Sequence, residues 1–201
     1  LTNKVSTEER LFNGALRAVA RQGPKKLAMS EIASEAGVSV GTLYRYFSSK
    51  DELLDRLGHH FEAKLQGVLE AEIAADPDPT KRLQIVIDVM LRFFLDNPVT
   101  MQLAQLEPGF MLGYVTNSKR TVSILLRGVL EPALAGSPAI TGGVVTLDEV
   151  VDLIFRVAFS HYFMPGDSDY RKLRDVVVLL SISAGLEPGK TRGRAKRSVA
   201  S

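Results

Sequence analysis

Gln84, Asp88, Arg92 and Asp96 fall four residues apart, and around them the chain reads Ile85, Val86, Val89, Met90, Phe93 and Phe94. On an α-helix the four polar residues form one narrow stripe, and apolar side chains take up the rest of the circumference. Such a helix needs protein on most of its sides. The pattern therefore predicts a bundle of helices with this segment at its centre.

The remainder agrees. The periodicity is helical nearly everywhere, and no stretch alternates convincingly as a strand would. Ser6-Thr7-Glu8-Glu9 reads as a capping box for a first helix ending near Gln22, with Gly23-Pro24 as the stop. A second helix is expected over about Ser30–Ala36, and Ser39 caps a third over Val40–Phe47. Ser49 caps a long fourth helix through Ala75, with Asp51 and Glu52 placed favourably in its first turn. Asp78 and Pro79 open the central helix, which is expected to run to Asn97. A short helix after Pro98 follows, then one from Pro108 or Phe110 to before Gly136. "GSPAITGGVV" is a loop by composition. Thr146 and Glu149 box a helix over Leu147–Met164, and Asp167, Ser168 or Asp169 begins the last one, which ends at Gly185.

Charge narrows the function. The net charge is +2, yet Lys190, Arg192, Arg194, Lys196 and Arg197 crowd into a tail that holds no acid. Residues 1–187 carry 20 basic and 23 acidic side chains, so bulk charge does not make this body a nucleic-acid coat. Any DNA contact must be local. No apolar run reaches the roughly 20 residues that span a bilayer, and no signal-peptide pattern opens the chain. Zero cysteines remove disulfides and thiolate metal sites and fit a cytoplasmic protein.

The local contact has a candidate. Two short helices joined by "AGVS" fit a helix-turn-helix, whose second helix enters the major groove. Leu43 and Phe47, four apart, pack inward with Ile32, Ala33 and Val38, which leaves Val40, Thr42, Tyr44, Arg45 and Tyr46 largely outward. An isolated tyrosine pair would be read as surface packing. Here the pair comes with Arg45, with Gly41 for close backbone approach, and with Lys50 at a helix start where free N–H groups can join it on a phosphate.

"MSEIASEAGVSVGTLYRYFSSKDELL" resembles the DNA-binding signature of TetR/AcrR-family transcriptional regulators, a likeness covering about residues 6–57. The resemblance implies an all-α protein: a three-helix DNA-binding domain over residues 1–48, then a helical ligand-binding and dimerisation domain over 49–187. The tail, 188–201, is expected to be disordered. The resemblance makes Val40, Gly41, Thr42, Tyr44 and Arg45 base or groove contacts, and Tyr46 and Lys50 phosphate contacts. One departure is visible: where relatives commonly cap helix two with threonine, this chain has Ala28, and Ser30 is expected to take over the cap.

In the second domain, Met90, Phe93, Phe94, Met101, Phe110, Met111, Tyr114, Phe155, Phe159 and Tyr162 are candidates for an apolar effector cavity, although such side chains at helical spacing also simply form cores. Arg156 and His161 could anchor a polar group. A dimer surface is expected on the last two helices, at Val150, Ile154, Val157, Val176, Val177 and Leu180. The partners implied are a palindromic double-stranded DNA operator, a small mostly apolar effector and a second copy of the chain, with no membrane. No cofactor or metal is expected. Catalysis is not expected either: no nucleotide-binding loop or metal-spaced cluster occurs, and His59-His60 diverge on a helix. The function expected is a dimeric, ligand-released repressor. The alternatives are a sequence-independent architectural DNA binder and a ligand sensor without operator binding.

Overall fold

The structure is a computed structural model and describes residues 6–164 and 169–187. Ten α-helices follow in order: α1 Thr7–Gln22, α2 Met29–Ala36, α3 Val40–Tyr46, α4 Lys50–Ala75, α5 Arg82–Arg92, α6 Pro98–Leu106, α7 Pro108–Leu134, α8 Pro138–Thr141, α9 Leu147–Phe163 and α10 Tyr170–Ser183. Among the described residues there is no strand, and no helix is long and apolar enough to cross a membrane. The basic cluster from Lys190 to Arg197 lies outside the described residues, as do Asp167 and Ser168.

The caps behave as their chemistry requires. Ser6, Ser39 and Ser49 each accept the N–H three residues on, at 3.1 Å. Thr146 and Glu149 form both halves of their box. Asp169 caps α10 by accepting from the Arg171 N–H. Helix α2 departs from expectation. Ser30 does not cap it; the helix starts after Ala28, and the Glu31 carboxylate accepts the Ala28 N–H at 3.0 Å. One side chain thus satisfies a donor from inside the helix.

Two other expectations are corrected. The central helix neither opens at Pro79, where Asp78 caps a 3-10 turn over Pro79–Lys81, nor runs to Asn97: α5 spans Arg82–Arg92, the chain coils on through Asp96, and Asn97 turns extended to cap α6. Pro98 disfavours the helical conformation at the residue before it, which accounts for the extended Asn97. Nor is "GSPAITGGVV" only loop. Pro138 preorganises a single turn, α8, and the Ala139 N–H donates to the Gly185 carbonyl at 3.1 Å.

Helix α5 is central, packing on α4, α7, α9 and α10. Its polar stripe is neutralised by neighbours. Arg92 pairs with Asp88, Asp96 and Glu72 of α4, while Asp88 also accepts from Arg174 of α10 at 2.8 Å. Helices α4, α5 and α10 are thereby joined through one charged seam.

Two apolar clusters hold the chain. One lies around α5, α7 and α9. The other begins in α1–α3 and runs without a break into Leu53, Leu57 and Phe61 of α4 and Leu103 of α6. Helix α1 packs on both α2 and α6. Gly14 permits the first of these contacts, since a Cβ there would sit 2.7 Å from the Cβ of Ala36.

Candidate nucleic-acid interface and effector cavities

Helix α3 has only seven residues, too few to be stable alone, so its orientation depends on what it buries. Leu43 and Phe47 are fully buried, as expected, in one cluster with Ile32 and Ala33. Val40, Gly41, Tyr44 and Arg45 are left exposed, Tyr44 by 52%. Thr42 is half-buried, and its hydroxyl lies 2.9 Å from that of Ser39. Tyr46 is also half-buried against the cluster, and the Arg45 guanidinium stands 5.8 Å from its ring. A Cβ on Gly41 would meet nothing nearer than the Ser39 hydroxyl at 4.0 Å. Nothing among the described residues requires glycine there.

The charges divide into paired and unpaired sets. Arg17 and Arg21 bind Glu35, and Arg56 binds Glu8. Among the described residues Lys25, Lys26, Arg45 and Lys50 have no carboxylate partner. The Lys50 ammonium lies 3.5 Å from the Pro24 carbonyl, which brings it beside the segment carrying Lys25 and Lys26. Those two lysines were not singled out from sequence, because only the fold sets the α1–α2 turn against the start of α4. Arg56 completes the frame by donating to the Tyr46 carbonyl at 3.2 Å and covering the Phe47 ring at 4.9 Å.

The regulatory half contains a narrow, deep, largely apolar cavity. Met90, Phe93 and Phe94 of the α5 segment line it, with Tyr114 of α7 and Phe155, Phe159 and Tyr162 of α9. Phe61, Glu62 and Leu65 of α4 and Ser118 and Val122 of α7 line it as well, beyond the residues expected from sequence. Their signal was the apolar four-residue spacing of Phe61 and Leu65, which equally reads as core. Tyr162 donates to the Met90 carbonyl, and burial raises its pKa. Burial likewise pushes the Tyr114 hydroxyl up to about 12. Both phenols stay protonated donors at ordinary pH.

A second narrow cavity lies where the N-terminal helices meet the rest. Phe110 and Met111 line this one, whereas Met101 lines neither and packs at the edge of the N-terminal cluster. The rings of Phe61, Phe94 and Tyr114 border both cavities. Arg156 is taken up by Asp152, and neither it nor His161 lines either cavity. Among the described residues no group of three or more His, Asp or Glu is arranged to hold a metal.

The residues expected at a dimer surface differ in their exposure within the subunit. Val150 and Ile154 are buried in the subunit's own core, and Val157 and Val177 pack against it. Val176 and Leu180 are exposed, Leu180 by 63%, together with Leu179 and Ile182 on α10 and Leu153 on α9. No residue of α10 is fully buried. The helix rests on α5 by one stripe and presents an apolar outer face.

Comparison with known proteins agrees with this geometry. Residues 11–57 match the family described as bacterial regulatory proteins, tetR family. An uncharacterized HTH-type transcriptional regulator of Mycobacterium tuberculosis is 36% identical over 90 residues, and that match spans 45% of this chain and 45% of the relative's length. Another from the same organism is 28% identical over 184 residues, covering 90% of this chain and 78% of that protein. Among solved structures, FadR from Bacillus subtilis in complex with stearoyl-CoA superposes with a TM-score of 0.67 at 20% identity, over 87% of this chain and 97% of that one.

Proposed function

We propose that the chain is a TetR-family DNA-binding regulator, a dimeric repressor released from a palindromic operator by a small, mostly apolar effector. The observation that carries this reading is the outer face of α3. Val40, Gly41, Thr42, Tyr44 and Arg45 stand on a helix anchored by Leu43 and Phe47, beside lysines that no carboxylate neutralises. Tyr46 and Lys50 flank that face and serve as phosphate contacts.

A single recognition helix reads only a few base pairs, and pairing two of them about 34 Å apart supplies the missing discrimination. The apolar outer face of α10, with Val176 and Leu180 on it, is the surface for that pairing. Release works through α4. Phe61 lines the deep cavity, while Leu53 and Leu57 on the same helix pack in the cluster under α3. An effector that tilts α4 changes the spacing of the two recognition helices, provided it binds the DNA-incompetent state more tightly. The stearoyl-CoA held by the Bacillus subtilis neighbour supports an effector with a long apolar portion.

The test is selection of bound fragments from a genomic DNA library at near-physiological salt. One enriched palindromic motif is the expected result. Retention without any motif would overturn operator recognition and favour an architectural binder.

A further inference from the structure

Most basic side chains of the DNA-binding unit are already engaged within the chain. Arg17 and Arg21 are held by Glu35, Arg56 by Glu8, and Arg10 donates to the Ala36 and Gly37 carbonyls. Lys25 and Lys26 make no such contact among the described residues, and both are exposed on the turn between α1 and α2. That turn is nevertheless fixed. Gly23 ends α1 with a φ of 80°, and Leu27, 5% exposed, anchors the other side in the N-terminal cluster. The Lys50 ammonium reaches the Pro24 carbonyl at 3.5 Å, so the three lysines gather where the turn meets the start of α4, just past the end of α3. Nearby acids do not pair with them. Glu31 accepts the Ala28 N–H, Glu52 accepts from Ser48, and Glu107 lies against Gly23. Asp51 follows Lys50 on a helix, where adjacent side chains diverge. The lysines repel one another, and an anion laid across them would relieve that repulsion.

We propose that Lys25 and Lys26 join Lys50 in one contact on the DNA sugar-phosphate backbone, beside the end of the recognition helix, and that this contact supplies affinity without reading sequence. Lysine suits the task. Its flexible stem carries a compact charge that meets phosphate from many directions, whereas discrimination between bases takes fixed geometry at their edges. The contact is local, which reconciles DNA binding with a body, residues 1–187, that carries more acid than base. Phosphate contacts also set orientation. Lys50 opens α4 directly after α3, so the trio holds the recognition helix at one angle to the groove. The proposal rests on the DNA-binding reading above and deepens it. It needs neither a palindrome nor a preferred sequence, because a phosphate contact forms on any duplex.

The experiment is fluorescence anisotropy of the full chain on the selected operator and on a scrambled duplex of equal length, between about 50 and 300 mM salt. Lys25→Ala/Lys26→Ala is expected to weaken both duplexes by the same factor. It should also flatten the slope of log K against log salt by about 0.9 per lysine lost, about 1.8 for each subunit bound. Lys25→Arg/Lys26→Arg is expected to keep the native slope. Arg120→Ala/Lys172→Ala removes equal charge from α7 and α10, outside the DNA-binding unit, and should change the slope little. A melting curve for each variant establishes that it is folded. An unchanged slope in folded Lys25→Ala/Lys26→Ala would overturn the contact, as would an equal flattening in the α7 and α10 variant. A fall in the operator-to-scrambled ratio would overturn its indifference to sequence. Where the library yields no motif, operator recognition fails, and the slope on the scrambled duplex still decides for or against the lysines. Absence of binding to any duplex would overturn both readings.

Discussion

The guanidinium of Arg56, on the long helix α4, donates to the backbone carbonyl of Tyr46 at 3.2 Å, where α3 ends. It also pairs with Glu8 of α1 and stacks on Phe47, so three helices converge on one side chain. Arg56→Met keeps much of the stem and removes the donors. Because the arginine side chain is 42% exposed, the loss of stability should be modest, about 1 kcal/mol. Operator affinity should fall further than that, since the end of the recognition helix loses its tie. Chemical denaturation beside fluorescence anisotropy on the selected operator separates the two effects.

Gly41 offers a cleaner separation. Its surroundings within the chain are open, so Gly41→Ala should leave the fold intact and raise stability by up to about 1 kcal/mol through helix propensity. If the glycine is there to let DNA approach, the same variant binds operator more weakly. A variant that gains stability and keeps full affinity would remove Gly41 from the interface. Tyr44→Ala and Arg45→Ala should weaken operator binding by about 1–3 kcal/mol each with little change in melting. Leu43→Ala should instead unfold the unit, at about 2–5 kcal/mol.

Gly14 behaves in the opposite way. Here alanine would place its Cβ 2.7 Å from Ala36 Cβ and 2.8 Å from the Ala36 backbone nitrogen, so α1 and α2 must separate. Overpacking of this kind costs about 1–3 kcal/mol and outweighs the gain in helix propensity. A lower melting temperature together with lost DNA binding is the expected outcome of Gly14→Ala.

On the outer face of α10, Leu180→Asp should convert dimer to monomer in sedimentation experiments without loss of helical circular dichroism. Ile154→Ala should lower the stability of the subunit by about 2–5 kcal/mol, because that side chain is buried in its own chain's core. Equal sedimentation of Leu180→Asp and the native chain would take α10 out of the interface.

His60 gives a pH signature. Burial lowers its pKa, Lys64 adds to the effect and Glu8 and Glu9 oppose it; the ring lies 4.8 Å from Phe12. The unfolded chain therefore binds the proton more readily than the folded one. The stability held by the neutral ring is fully present above the ordinary histidine value near 6.5 and declines as pH falls through it toward the lowered folded value. Denaturation midpoints between pH 7.5 and 5 should drop less in His60→Gln than in the native chain.

The sequence alone determined what short-range chemistry controls. Ser39, Ser49 and Thr146 cap where they stand because an N-cap needs only a side-chain oxygen and three following residues. The inward pair Leu43 and Phe47 and the outward Tyr44 and Arg45 follow from the helical repeat. The enclosed character of α5 was likewise legible in its polar stripe. Tertiary structure decided what distance along the chain conceals. Periodicity marks Val150, Ile154, Val176 and Leu180 alike as apolar, and only packing sends the first two into the core and leaves the others outside. The closeness of Gly14 to Ala36 and the nearness of Lys50 to Lys25 and Lys26 arise between segments far apart in sequence. A repeat of 3.6 residues says which side of a helix is apolar, but not which neighbour will cover it.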